Sequence, residues 1–154
     1  MLRTTWSDKG PKKSIAKNTW ITHRFTDPKS DVEGVIDFPT PQAPSYVDVH
    51  AAIFWPLPKE TIDPVTKKPV EPYVRPRGVW MRWVRVFPDG TTDQTCVVGP
   101  ILVDIYARNF AAICGEMLKT SGGGETFRFQ YQVTGGADRF TPGNIIGKVW
   151  ERPA

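Results

Sequence analysis

Apolar and polar residues alternate with a period of two along several short segments of this chain. The clearest alternation runs over residues 125–134. Its apolar positions are Phe127, Phe129, Tyr131 and Val133, and polar side chains fill the positions between them. Because successive side chains of a β-strand point to opposite faces, this pattern predicts a strand with one buried and one solvated face.

The central element is a predicted β-hairpin. Its first arm, residues 79–87, is rich in β-branched and aromatic residues, which fit a pleated, half-buried surface. A turn follows at Pro88, Asp89 and Gly90. Proline fixes φ, aspartate can accept a hydrogen bond from the nearby backbone, and glycine accepts positive φ. Residues 91–98 return as the second arm, which Gly99-Pro100 is expected to end.

Shorter patterns predict more strands around this hairpin. They lie at residues 18–25, 35–38, 45–55, 101–106 and 145–150. Gly147 interrupts the last of these and predicts a bulge there. Residues 107–118 fit either a further strand or one face of a short helix, and both interpretations stay open.

The connections between these segments are rich in turn-forming residues. Fifteen prolines and 13 glycines favour turns and extended links over long helices. Residues 1–17 are polar and basic and predict an extended N-terminal arm, not a strand. Residues 59–76 form a long Pro-rich insertion, an exposed loop or short hairpin with its turn near residues 65–68. Residues 18–154 are therefore expected to form one all-β domain. It would be a β-sandwich or small barrel of about seven to eight antiparallel strands with at most one short helix.

Length and charge narrow the class of protein. The 154 residues suit a single domain, and the net charge of +4 is spread along the chain, which argues against a dedicated nucleic-acid binder. Residues 1–20 lack the apolar core of a signal peptide, and no apolar run reaches membrane-spanning length. The sequence predicts a protein made in the cytoplasm with no membrane partner, and found in the virion if it is viral.

The two cysteines and two histidines do not form a recognisable chemical motif. Cys96 and Cys114 lie outside any CxxC or Cys/His cluster, which favours two buried thiols over a disulfide and argues against a zinc site. His23 and His50 both fall inside predicted strands. Asp48 shares a strand face with His50, but this pair alone is not specific for a metal. We therefore predict no catalytic residue, no metal site and no cofactor.

The six tryptophans are the most informative residues for function. Trp80 and Trp83 have opposite parity on one predicted strand, so one of them must lie outside the core. Arg82 and Arg85 lie close by in sequence, and tryptophan with arginine is typical of protein interfaces. The interface candidates of the whole chain are Trp6, Lys12, Lys13, Lys67, Lys68, Trp80, Arg82, Trp83 and Arg85.

These features together favour a non-enzymatic structural protein that works in an assembly. A small β-domain with a basic arm and long Pro-rich connections is typical of virion components such as bacteriophage tail and capsid decoration proteins. The expected partners are copies of the chain or other structural proteins, contacted through arm, loop and strand edges. One alternative is a carbohydrate-binding β-sandwich whose exposed aromatic residues stack on sugars. Another is a small enzyme, for which Asp104, Asp48 and His50 would be tested first.

Overall fold

The structure is a computed structural model that describes residues 3–8, 15–23, 38–39, 44–56, 64–67, 76–103, 109–135, 139–140 and 145–153. The described residues contain β-strands and no helix. The strands in chain order are β1 (Arg3–Asp8), β2 (Ile15–Ala16), β3 (Ile21–Thr22), β4 (Phe38–Pro39), β5 (Ser45–Pro56), β6 (Gly78–Val86), β7 (Thr92–Leu102), β8 (Asn109–Lys119), β9 (Thr126–Thr134), β10 (Arg139–Phe140) and β11 (Ile145–Pro153).

Two antiparallel sheets contain the seven longer strands of the described chain. The first sheet has the strand order β1-β11-β5-β8. The second has the order β3-β9-β6-β7, and β4 also pairs with β9. Strands β2 and β10 form a separate two-stranded ladder. This architecture confirms the predicted all-β class. Residues 109–119 form strand β8, so the helical alternative for this segment was wrong.

One hydrophobic core lies between the inner faces of the two sheets. Strand β9 shows why the sequence builds it, because the burial of its side chains alternates along the whole strand as predicted. Strand β5 repeats the same alternation with smaller residues. The largest fully buried side chains include Trp83, Tyr131, Phe127, Phe129 and Ile53. The predicted inward face of residues 125–134 is thereby confirmed.

The central hairpin forms with the predicted turn. Gly90 has a φ of 86°, and its N–H donates to the carbonyl oxygen of Phe87 at 2.9 Å. The carboxylate of Asp89 accepts hydrogen bonds from the backbone N–H and the hydroxyl of Thr91, at 2.8 and 2.6 Å. These bonds lower the pKa of Asp89 because they stabilise its charged form. The turn residues therefore act as the sequence predicted.

The end of strand β7 differs from the prediction. Gly99-Pro100 does not stop the strand, which continues to Leu102. Instead, the pairing register with β6 shifts between Val79 and Met81, so the chain absorbs the irregular dipeptide within the strand. Gly99 has a φ of 141° and lies under the ring of Trp80, where a Cβ would come within 2.9 Å of the indole. A residue without a side chain is needed at that point.

Two other local predictions are also corrected. Residues 3–8 are not an arm, because their backbone pairs with β11 as the edge strand of the first sheet. The polar and basic composition of residues 1–17 favours an arm, whereas the threonines and tryptophan of β1 suit a strand. Gly147 forms no bulge. It pairs in regular register with Ala51 on one side and Trp6 on the other, in a buried position.

The remaining predicted segments are described only in part. Residues 18–25 contain β3, which is shorter than predicted. Of residues 35–38, the structure describes Phe38 as the start of β4. In the insertion at 59–76 it describes an exposed turn at residues 64–67, close to the turn predicted there. Residues 101–102 extend β7, and the rest of the strand predicted at 101–106 lies outside the described residues, apart from Val103.

Trp80 and Trp83 lie on opposite sides of strand β6. Trp83 is fully buried, its indole N–H donates to the carbonyl oxygen of Cys114 at 3.3 Å, and its ring lies 5.5 Å from that of Phe129. Trp80 lies on the outer face over Gly99 and is half-buried. The prediction that the two residues face apart is confirmed.

Replacing each tryptophan by phenylalanine should separate these two roles. We expect Trp83→Phe to lower the free energy of unfolding by about 2 kcal/mol, because it leaves a void and removes the donor to the Cys114 carbonyl. The matched variant Trp80→Phe should change it by less than about 1 kcal/mol, because its ring is only half-buried. Urea denaturation monitored by circular dichroism measures both values. Equal losses in the two variants would contradict the assigned packing.

His23 is a buried titratable residue at the edge of the second sheet. Its side chain is 4% exposed, and its backbone N–H donates to the carbonyl oxygen of Phe129 at 3.0 Å. Burial lowers the pKa of His23 from 6.5 to about 4, because the charged imidazolium loses its hydration. The unfolded chain therefore binds a proton more readily than the folded chain between these two values.

The stability of the protein should fall as the pH drops from 6.5 to 4. The contribution of neutral His23 is complete above pH 6.5 and is lost progressively below it, by about 2 kcal/mol between pH 7 and pH 5. Urea denaturation at both pH values measures the loss. His23→Gln, which cannot titrate, should remove about that amount of the pH dependence, whereas His50→Gln should retain it. An unchanged pH dependence in His23→Gln would refute the assignment.

Candidate interaction surface

Strand β8 carries apolar residues on both of its faces. Ala112 and Cys114 point into the core and are almost completely buried. Ile113 and Met117 point to the other side and are 63% and 56% exposed. A strand with one solvated face normally alternates apolar and polar residues, whereas a strand covered on both faces is apolar throughout. The outer face of β8 is therefore more apolar than that of a typical strand with one solvated face.

The neighbouring strand extends this exposed apolar surface. Tyr46 and Phe54 lie on the outer side of β5, and their side chains are 43% and 37% exposed. Their register with β8 places all of these residues on one side of the first sheet. Strand β11 continues it on the far side of β5, where Ile146 pairs with Ala52. We call this surface the apolar face, and it consists of Tyr46, Ala52, Phe54, Ala111, Ile113, Met117 and Ile146.

Charged groups of both signs lie among the residues of the apolar face. Asp48 and His50 occupy the middle of β5, with Oδ1 of the carboxylate 3.6 Å from Nε2 of the imidazole. The imidazole packs over Gly115, where a Cβ would overlap the ring. Lys119 lies at one end, with its ammonium 5.9 Å from the ring centroid of Tyr46. Lys148 lies on β11, on the other side of β5, where its backbone is opposite that of His50.

The outer face of the second sheet is organised differently. The guanidinium of Arg82 lies 4.0 Å from the ring centroid of Trp20, and its Nε–H donates to Oε1 of Gln130 at 2.7 Å. The Gln130 amide in turn donates to the hydroxyl of Thr22 at 2.9 Å. Partial burial lowers the pKa of Arg82. We call Trp20, Thr22, Trp80, Arg82 and Gln130 the Trp–Arg cluster. Its internal contacts hold the β3 segment against β9 and β6.

The structure separates the interface candidates that the sequence grouped around the hairpin. Trp80 and Arg82 lie together on the outer face of the second sheet. Trp83 is fully buried and cannot contact a partner, so its prediction as an interface residue is corrected. Arg85 points to the opposite side of β6 from Arg82. Its guanidinium donates to the carboxylate of Asp93 at 3.0 Å and lies 5.1 Å from the ring centroid of Phe87.

The other interface candidates are less closely defined. Trp6 belongs to β1, with its backbone opposite Gly147, and its side chain lies outside the described part of the chain. Lys67 is exposed in the turn of the insertion and has a φ of 56°. Lys12, Lys13 and Lys68 lie outside the described residues. The structure therefore leaves the arm and insertion contacts as predictions.

Sequence reasoning missed the residues that form the apolar face. The signal was present in residues 110–118, which carry apolar side chains at both strand parities. That pattern fits a helix or a strand, and it is also the pattern of a strand with two apolar faces. Tyr46 and Phe54 were missed because both lie on β5, a strand that also supplies core residues.

The described residues offer little for catalysis. They contain no group of three or more histidine, cysteine, aspartate or glutamate side chains that could hold a metal ion. Asp48 and His50 do lie side by side, as their shared parity predicted, and both are partly exposed. Asp104, the third residue proposed for an enzyme, lies outside the described part of the chain. The predicted absence of a catalytic site, metal and cofactor stays a prediction.

Comparison with known proteins identifies no family for this chain. No protein-family model matches the chain, and no curated protein sequence matches it. Within the part of the chain that the structure describes, no helix is long and apolar enough to cross a membrane. Any assignment of function must therefore start from the surfaces described above.

Proposed function

We propose that this chain is a non-enzymatic structural protein whose copies associate through the apolar face, of the general kind found among virion components. The observation that carries the proposal is the exposure of Ile113 and Met117 on a strand that is also apolar inside. Contiguous apolar surface on a folded protein typically marks a contact with another molecule. The virion setting rests on the character of the sequence, a small β-domain with long Pro-rich connections.

A second copy of the chain is the partner that the apolar face fits best. In a twofold contact the same patch meets itself, so its charges must be self-complementary. Asp48 supplies a negative charge in the middle of β5, and Lys119 and Lys148 supply positive charges on the two flanking strands. Rotating one copy over another can therefore bring lysine of one copy close to aspartate of the other, beside the apolar residues of the face.

The edge strand β1 gives the assembly a second means of contact. It pairs with β11 on one side, and no described strand pairs with its other edge. Unpaired backbone groups along an edge can add a strand from a neighbouring molecule. This contact supports the expectation that partners meet through strand edges, and it is compatible with a face-to-face contact elsewhere on the same sheet.

A carbohydrate-binding module receives less support from the positions of the aromatic residues. Tyr46 and Phe54 are eight positions apart on β5, which places them roughly 26 Å from each other along the strand. One face of the Trp20 ring is already covered by the Arg82 guanidinium. Tyr46, Phe54 and Trp20 therefore do not form the adjacent, coplanar aromatic platform that the carbohydrate alternative predicts.

Placing a charge in the apolar face should disrupt association. We expect wild-type protein to show a molar mass above that of the 17.3 kDa monomer, rising with concentration. Ile113→Lys should weaken the association by roughly tenfold or more, because the ammonium would be desolvated in the contact without a partner. Light scattering coupled to size-exclusion chromatography across a concentration series measures both.

Val97→Lys is the matched control for this experiment. Val97 is a β-branched strand residue that is 47% exposed, but it lies on the outer face of the second sheet. Val97→Lys should leave the association unchanged. Circular dichroism should show that both lysine variants are folded. Wild-type protein that stays monomeric at every concentration would refute self-association. An effect of Val97→Lys alone would move the contact to the second sheet.

A further inference from the structure

Cys96 and Cys114 meet where the two sheets come together. Cys96 lies on β7 at the edge of the second sheet, and Cys114 lies on β8 at the edge of the first. Their sulfur atoms are 3.5 Å apart, and the Cys96 sulfur also lies 3.6 Å from the carbonyl oxygen of Gly115. Both cysteines are free thiols. The sequence left open whether they meet, and the fold brings them into contact.

The geometry suits a covalent bond between these two residues. A disulfide needs its sulfur atoms about 2.05 Å apart, so the present separation must shorten by about 1.5 Å. Rotation about the side-chain torsions of the two cysteines is the movement that would close this gap. Cys96 is half-buried, whereas Cys114 is 1% exposed. The pair therefore combines one partly exposed cysteine with one that is buried beside it.

We propose that Cys96 and Cys114 form an oxidation site, where a peroxide-class oxidant joins the two sheets by an intramolecular disulfide. The thiolate of Cys96 attacks one peroxide oxygen, the O–O bond breaks, and Cys96 becomes a sulfenic acid while hydroxide leaves. The sulfur of Cys114 then attacks the Cys96 sulfur, the S–O bond breaks, and water leaves with the Cys114 proton. In total two thiols and one peroxide yield one disulfide and two waters.

The surroundings of the pair fix the order of these steps. Burial raises the pKa of the Cys114 thiol. The hydrogen bond with Cys96 raises this pKa further, and so do the negative charges of Cys96 and Glu116. Cys114 is therefore a poor first nucleophile, and Cys96, the more exposed of the two, reacts first. The second step has to remove the Cys114 proton, so the disulfide should form faster as the pH rises from 7 to 9.

The disulfide should also stabilise the fold. It would close a loop with 17 residues between the two cysteines, which restricts the unfolded chain. For a protein of this size, we expect the melting temperature to rise by about 6–12 °C on oxidation. Dithiothreitol should reverse the rise, because it returns both residues to thiols.

The test uses the full chain treated with hydrogen peroxide, followed by alkylation and tryptic digestion. Trypsin cleaves after Arg85, Arg108 and Lys119, so the two cysteines fall in separate peptides, 86–108 and 109–119. The expected product is these two peptides joined by a disulfide, from protein that runs as a single chain on a non-reducing gel. The melting temperature of the same sample is measured before and after dithiothreitol.

Cys96→Ser is the control, because this position is half-buried and the variant should fold. It should show neither the joined peptides nor the rise in melting temperature. Peroxide that drives wild-type Cys96 to sulfinic acid without joined peptides would overturn the proposal. Disulfide-linked dimers in place of the intramolecular bond would also overturn it, since they would show that Cys96 reacts between copies.

Discussion

The indole of Trp83 connects the two sheets, and the packing of the core depends on it. The residue belongs to β6 in the second sheet, yet its N–H donates to a carbonyl of β8 in the first. A buried indole left without an acceptor would cost about 1–3 kcal/mol, so the bond holds β6 and β8 at a defined distance. With that distance set, Phe129 packs against the indole, and the edge strands β7 and β8 come together beside it.

The packing of β8 against Trp83 determines which side chains of β8 face solvent. Its inner residues must be apolar to fill the core beside Trp83, and its outer residues are free to be polar. Ala111, Ile113 and Met117 are apolar as well, and the exposed parts of Ile113 and Met117 represent about 2–3 kcal/mol of unrealised burial. Packing among the described residues does not require that choice. The proposed contact with a second copy would remove the same surface from water.

The sequence predicted the fold wherever one strand face is apolar and the other polar. Residues 126–134 satisfy this condition, and so their strand and core face were correct. The prediction from sequence left β8 undecided, because the spacing of Phe110, Ile113 and Met117 fits a helix as well as a strand. Only the long pairing of this segment with β5 decides between them. Local glycine rules also failed at Gly147, whose regular pairing depends on its neighbours in the sheet.

The candidate site was less predictable than the fold, for a physical reason. Parity shows that Trp80 and Trp83 face apart, but the side that becomes the core depends on where the first sheet packs against β6. The approach of Cys96 to Cys114 likewise depends on how the two sheet edges meet. The separation of the two cysteines along the chain does not predict this contact. The surface of β8 follows only once its strand identity and its inner partners are known.

The two proposals meet in strand β8. Cys114 points into the core and its neighbour Ile113 points out to the apolar face, so a bond to Cys96 would act on the strand that carries the contact surface. Strand β8 is the edge of its sheet and is anchored by β5 on one side. A covalent link to β7 would restrict its motion, and a surface that is already ordered loses less entropy when it binds. Oxidation would therefore strengthen association without adding a single contact to the interface.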